Sequence, residues 1–147
     1  MQKLDASRWK HGGNIKEHDA LLLRYCQRRG GTTFANVVLD GDPYPHPRRI
    51  DAVRFPSRSH CLIAWRRREP KEFEEQLRLA RHGRLRVEVI EVINGEMDRG
   101  TVGQVVVGGW LLQRYKVKVT EVVVCQRAIT KLKRFFRKRN IQLWDFH

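Results

Sequence analysis

The sequence predicts an α/β fold, in which a mixed central β-sheet is flanked by helices. Short β-branched and aromatic segments alternate with longer segments of helical periodicity, and this alternation is typical of layered α/β proteins. The chain has 147 residues, 41% of them hydrophobic, which suffices for one core, so we expect a single domain over residues 1–147. Residues 1–13 are polar and basic and are expected to form a flexible arm.

The first helix is predicted over residues 15–29. Asn14 has the side chain of an N-cap, Glu17 follows three residues later as in a capping box, and Gly30-Gly31 ends the helix. Further elements are predicted from periodicity and turn residues: strands at 32–39, 49–55 and 61–65, a helix at 69–82 and a strand at 84–93.

Residues 98–115 allow two interpretations. Thr101 and Gln104 have the spacing of a helix start, and the valines that follow repeat at helical intervals. However, consecutive valines and glycines lower helix propensity, and Asn94-Gly95 is typical of a hairpin turn, so a hairpin over residues 87–107 is the alternative. The remaining predicted elements are a strand at 116–125, a basic helix at 128–139 and a strand at 141–146.

The net charge of +14 favours a polyanionic partner such as DNA, RNA or an anionic membrane surface. The alternative is a soluble basic protein whose charge forms a solvated face. No apolar run approaches the roughly 20 residues that cross a bilayer, and the N-terminus is polar, so we expect a cytoplasmic protein without a membrane partner. Cys26, Cys61 and Cys125 are widely spaced and are expected to be core residues.

Two apolar strands each carry an acid: Asp51 within residues 48–53 and Glu91 within residues 89–93. A carboxylate in a β-branched segment is costly unless a cation neutralises it. Alternate side chains of a strand share a face, so only one of Glu88 and Glu91 can lie beside Asp51. Carboxylates on rigid strands suit Mg²⁺, which assists phosphodiester hydrolysis. The pair therefore predicts a metal-dependent nuclease site.

The segments R-R-I-D-A-V (48–53), V-I-E-V (89–92) and V-G-Q-V-V-V (102–107) resemble, in this order, the PD-(D/E)xK nuclease superfamily. The resemblance spans residues 14–126 and implies a restriction-endonuclease-like fold that hydrolyses DNA with Mg²⁺ or Mn²⁺. It implies Asp51 and Glu91 as metal ligands together with the carbonyl of Val92, and it matches Glu17 and Gln104 to the family's helix acid and helix glutamine.

The sequence departs from this family at Ile93, where the family has a lysine that stabilises charge on the phosphate. Lys116, Lys118 or Gln104 are the candidates to replace it. Alternatively, the site is degenerate and the protein binds nucleic acid without cleaving it. A third hypothesis is a Holliday-junction resolvase, an enzyme that works as a homodimer.

Each assignment has a structural alternative. Glu17 and Gln104 can be helix-capping residues, and Asp51 can form an ordinary ion pair with Arg48, Arg49 or Arg54. The basic helix can be a solvated amphipathic helix. The candidates for phosphate binding are Arg48, Arg49, Arg66, Arg67, Arg68, Lys116, Lys118, Lys131, Arg134, Arg137 and Lys138.

Overall fold

The structure, a computed structural model, describes residues 16–39, 48–56, 62–65, 70–96, 99–128 and 130–146. The predicted element order and the α/β class are confirmed. The elements are α1 (Lys16–Arg29), β1 (Thr32–Leu39), β2 (Arg48–Phe55), β3 (Leu62–Trp65), α2 (Pro70–Gly83), β4 (Arg86–Glu96), α3 (Arg99–Gln113), β5 (Lys118–Arg127), α4 (Thr130–Lys138) and β6 (Gln142–Asp145).

Within the described ranges the strands form one six-stranded sheet in the order β3-β1-β2-β4-β5-β6. β2 is antiparallel to both of its neighbours, β1 and β4, whereas β1–β3, β4–β5 and β5–β6 are parallel. The sheet is therefore mixed, as predicted. The parallel pairs β4–β5 and β5–β6 are connected through α3 and α4, because parallel neighbours need a crossover.

Helices cover both faces of the sheet. The front face is the one that carries Val87 and Val89 of β4, which pack in a core with residues of α2, α3 and α4. The back face is the one that carries Ile90 and Val92, which pack in a second core with α1. Side chains of β4 thus alternate between two cores, as expected for a central strand of a layered α/β sheet.

The hairpin interpretation of residues 87–107 is wrong. β4 continues through Asn94-Gly95 to Glu96 beside β5, with an irregular register between Ile93 and Glu96, and α3 follows. Parallel pairing with β5 replaces the antiparallel partner that a hairpin would provide. α3 begins at Arg99, so Thr101 lies inside its first turn, buried, and is not the N-cap.

The glycine pair after α1 ends that helix as predicted. The Gly30 N–H donates to the Cys26 carbonyl at 2.7 Å, and both Gly30 and Gly31 have positive φ (67° and 82°). A Cβ at Gly31 would lie 2.5 Å from the Phe55 carbonyl oxygen, so the close approach of α1 to β2 requires glycine.

Several sequence predictions fall outside the described residues, among them Cys61, Asn14 and the arm at residues 1–13. Cys26 and Cys125 are buried, as predicted. Among the helices described, none is long and apolar enough to cross a membrane.

Candidate active site

The two strand acids lie where β2 and β4 separate. The β2–β4 ladder runs through Arg54–Glu88, Val53–Val89 and Ala52–Ile90, and it ends there. The next pair in this register would be Asp51 and Glu91. Instead, Asp51 Oδ2 accepts a hydrogen bond from the Val92 N–H at 2.9 Å. The Asp51 side chain thus takes the place of a ladder bond, which fixes its carboxylate at the fork between the strands.

Glu91 lies two residues after Val89 and therefore on the same front face, and 6% of its surface is exposed. Its carboxyl group hydrogen-bonds to Asp51. Burial raises the pKa of Glu91 well above its usual range, and the negative charge of Asp51 raises it further. Two carboxyl groups in contact at a buried site are stable together only when they share a proton or a cation. The fork is therefore suited to holding positive charge.

Asn36 lies beside Asp51 on the neighbouring strand β1. The β1–β2 register pairs Ala35 with Ala52 and Val37 with Ile50, and the position between them, Asn36 and Asp51, is skipped. Asn36 has φ 51°, a left-handed conformation that asparagine tolerates better than most residues. Its Oδ1 accepts hydrogen bonds from Arg49, from Nε at 2.9 Å and from Nη2. The Asn36 side chain thereby holds the Arg49 guanidinium.

A pocket of about 500 Å³ opens from Glu91 between the strands and the first half of α3. Arg49 and Gln104 contribute exposed polar side chains to it, and Gly103 leaves open space where other residues would place a Cβ. Gln104 of α3 therefore lines the same pocket as Glu91. Because Thr101 is not the N-cap, the alternative that Gln104 serves a Thr101 capping box fails. The lining residues are Arg49, Ile50, Glu91, Gly100, Gly103, Gln104, Val107 and Gly108.

Glu88, the competing acid, points to the back face and is 4% exposed. It accepts hydrogen bonds from the Tyr25 hydroxyl at 2.8 Å and from Arg29 Nη2 at 2.7 Å, and it pairs with Arg54 Nη1 at 2.9 Å. Burial and the adjacent Glu88 carboxylate raise the pKa of Tyr25 far above its usual value. Arg54 also donates to the carbonyls of Arg29 and Gly30. Glu88 therefore ties α1 to the sheet and is separate from the fork.

Ile93 is partly buried against the front core, so no cation takes the family lysine position. Lys118 pairs in register with Arg86, five residues before Glu91, which is about 17 Å along the strand. Lys116 lies still further away in sequence. Neither lysine can therefore replace the family lysine beside the acids. Among the pocket residues, the cationic one is Arg49.

The donor atoms at the fork fit a hard divalent cation. The Val92 N–H points at Asp51, and in a strand the carbonyl of a residue points to the same side as its N–H. Two carboxylates and one carbonyl oxygen are typical ligands for Mg²⁺ or Mn²⁺, which keep several waters. The described residues contain no cluster of three or more His, Cys, Asp and Glu side chains that could hold a metal.

The other predicted residues lie elsewhere or outside the described part. Glu17 and Arg48 belong to α1 and β2, but their side chains are outside the description, as are Arg66, Arg67 and Arg68. Helix α4 connects β5 to β6 and packs on the front core through Phe136. Its cationic side chains are exposed, namely Lys131, Arg134, Arg137 and Lys138.

Sequence reasoning missed Asn36, because an asparagine inside an apolar strand gives no sign that its φ is positive. No protein-family model matches this chain, and no curated protein or solved structure matches it either.

Proposed function

We propose that this protein is a metal-dependent deoxyribonuclease with a restriction-endonuclease-like fold, in which Asp51 and Glu91 hold Mg²⁺ or Mn²⁺. The observation that carries the proposal is the contact between these two carboxyl groups at the β2–β4 fork, where Glu91 lines a pocket that also contains Arg49 and Gln104. Two carboxyl groups in contact, one of them buried, each raise the cost of ionising the other, and a bound divalent cation would offset that cost.

The bound metal would neutralise charge on a phosphate and activate water for hydrolysis. The protein's own groups would position the acids, the cationic side chain and the substrate. The Val92 N–H orients Asp51, and Asn36 orients the Arg49 guanidinium. A guanidinium has paired N–H donors that can bind two oxygens of a phosphate. The Gln104 amide, on the opposite wall, can donate to a phosphate oxygen or orient the attacking water.

Arg49 would take over the charge-stabilising role that a lysine has in the family. Ile93 occupies the usual position, and Arg49 reaches the same pocket from β2 instead of β4. A guanidinium stays protonated at all physiological pH values, so it can stabilise charge but cannot act as a general base. The activity would then depend on Arg49 through the binding of phosphate.

A nucleic-acid substrate is favoured by charge. The net charge is +14, and the exposed cations of α4 provide a surface for phosphates on the same side of the sheet as the pocket. Binding to such a surface should weaken steeply with salt, because each contacted phosphate releases counterions.

The test compares cleavage of plasmid and linear DNA with Mg²⁺ or Mn²⁺ by wild type, Asp51→Asn and Glu91→Gln. Both variants should lose at least about 100-fold in rate, as for residues that hold a catalytic ion. Glu75→Gln is the matched control, because it removes an exposed acid far from the fork and should cleave normally. Equal cleavage by all four proteins would remove Asp51 and Glu91 from catalysis.

Ile93 supports a second candidate, a nucleic-acid-binding protein on a degenerate nuclease fold. This candidate predicts salt-dependent DNA binding with neither cleavage nor metal binding. Calorimetric titration with Mn²⁺ separates the two: a heat of binding that disappears in Glu91→Gln favours the nuclease, whereas no heat at millimolar Mn²⁺ favours the binding protein.

A further inference from the structure

A second pocket, of about 260 Å³, lies at the other end of the front face. It is formed where α2 ends and where the turn after α3 enters β5. Its lining includes two buried apolar residues, Ala80 and Val117, and four exposed cationic side chains, namely Arg81, Arg84, Lys116 and Lys118. We call these four residues and the space between them the basic pocket.

The basic pocket lacks negative charge. No carboxylate is among its lining residues. Within the described part of the chain, Arg84, Lys116 and Lys118 form no ion pair. The Arg81 guanidinium approaches only a neutral group there, the Tyr115 carbonyl oxygen at 3.4 Å. Four like charges around one small space repel one another, and an anion would relieve that repulsion.

Two of these cationic residues have a left-handed backbone conformation, which is uncommon for residues with long side chains. Arg84 has φ 52° and Lys116 has φ 60°, in the left-handed region where glycine and asparagine are the favoured residues. A side chain with a Cβ costs roughly 1 kcal/mol there. The chain thus places long cationic side chains at two turn positions where a smaller residue would be more stable, and both point to one pocket.

We propose that the basic pocket binds a phosphate-bearing anion. Its volume is several times the roughly 30 Å³ of a water molecule, so it can accept a phosphate or pyrophosphate group. Lys118 lies opposite Arg86, about 17 Å along β4 from Glu91, so a phosphate bound here is separate from one at the acid pair. The proposal therefore stands whether or not the acid pair cleaves DNA.

The phosphate can belong to a free polyphosphate or to a nucleic-acid backbone, and two measurements distinguish these sources. The full chain, in EDTA, is titrated with pyrophosphate by calorimetry and with a labelled DNA duplex by fluorescence anisotropy. The pocket variant is Arg84→Asn with Lys116→Asn, because asparagine tolerates the left-handed backbone. The control variant, Lys71→Gln with Arg127→Gln, removes two exposed charges elsewhere.

Pyrophosphate binding that weakens at least tenfold in the pocket variant, and stays unchanged in the control, supports a free phosphate-bearing ligand. If pyrophosphate does not bind, a loss of DNA affinity of at least tenfold in the pocket variant alone supports a nucleic-acid backbone. The slope of the logarithm of the binding constant against the logarithm of the salt concentration should then be smaller by about 1.8, because two phosphate contacts are lost. Equal behaviour of the two variants toward both ligands overturns the proposal. Circular dichroism of both variants verifies that they are folded.

Discussion

Asn36 and Asp51 occupy the skipped position of the β1–β2 ladder, between the pairs Ala35–Ala52 and Val37–Ile50. On both strands the front-face residues on either side of this position are three residues apart instead of two or four, as with Val53 and Ile50. The strands therefore shift their alternation together at this point. This shift takes Asp51 out of the regular pattern and lets it reach the Val92 N–H.

Asn36→Gly is expected to fold but to release Arg49. Glycine accepts φ 51° without strain, whereas it removes the Oδ1 acceptor that Arg49 uses. DNA affinity should fall about fivefold, equivalent to about 1 kcal/mol, and urea unfolding should change little. Arg49→Ala is the comparison. If Arg49→Ala weakens binding and Asn36→Gly does not, Asn36 does not position Arg49.

The stability of the metal-free protein should depend on pH through Glu91. Its pKa is raised above the ordinary value of 4.5, so the folded state holds this proton more tightly than the unfolded state. The associated stability is complete below the ordinary pKa and is lost as pH rises toward the folded pKa. Urea unfolding in EDTA at several pH values should show that Glu91→Gln gains stability relative to wild type as pH rises. A constant difference between the two proteins would contradict this.

Added Mg²⁺ or Mn²⁺ should raise the melting temperature of wild type. At 100 times the dissociation constant the gain is about 2.7 kcal/mol. The shift should be larger at pH 8 than at pH 5.5, because the ion must displace the proton held by Glu91. Differential scanning fluorimetry should show the shift in Glu75→Gln and not in Glu91→Gln. An equal shift in all three would place the ion elsewhere.

Two glycines of α3 should respond oppositely to alanine. A Cβ at Gly103 meets nothing within 4 Å, so Gly103→Ala should stabilise by roughly 0.5–1 kcal/mol through helix propensity. A Cβ at Gly109 would lie 2.6 Å from Glu121 Oε1 and 2.9 Å from its Cγ, so Gly109→Ala should destabilise by about 1–2 kcal/mol. Thermal unfolding measures both. Gly109→Ala should become stabilising in a Glu121→Ala background, and failure of that rescue would assign the cost to another contact.

Removing Glu88 should be among the most damaging substitutions at a polar residue. Glu88→Ala leaves the buried Arg54 guanidinium without its counter-charge and should cost about 3–5 kcal/mol. Arg29→Ala removes the partner whose side chain is 37% exposed and should cost far less, about 1 kcal/mol. Equilibrium unfolding in urea compares the two. Equal losses of unfolding free energy would contradict the assignment of the larger cost to the uncompensated charge of Arg54.

The element order and the orientation of Glu91 could be predicted because they depend on local periodicity. Alternation along β4 places Glu88 and Glu91 on opposite faces whatever the neighbours are. The choice between helix and hairpin after Asn94-Gly95 could not be made locally, because it was decided by pairing of β4 with β5, a strand more than 20 residues later.

The finer structure of the site could not be predicted for a similar reason. Lys116 and Lys118 were candidates for the catalytic lysine because their distance from Glu91 depends on the β4–β5 register, which pairs Lys118 with Arg86. Likewise, the hydrogen bond that holds the Arg49 guanidinium is made by Asn36, a residue with positive φ on another strand. Such relationships follow from tertiary packing and have no sequence signal of their own.

The β2–β4 ladder, with its short run from Arg54–Glu88 to Ala52–Ile90, is also the seam between two parts of the sheet. The strands β3, β1 and β2 come from one continuous stretch of chain, and β4, β5 and β6 come from another, and both hydrophobic cores continue across the seam between them. The acids of the fork come from opposite sides of this seam. The acid pair therefore exists only where the two parts of the sheet are joined, and its geometry depends on the packing that holds the seam closed.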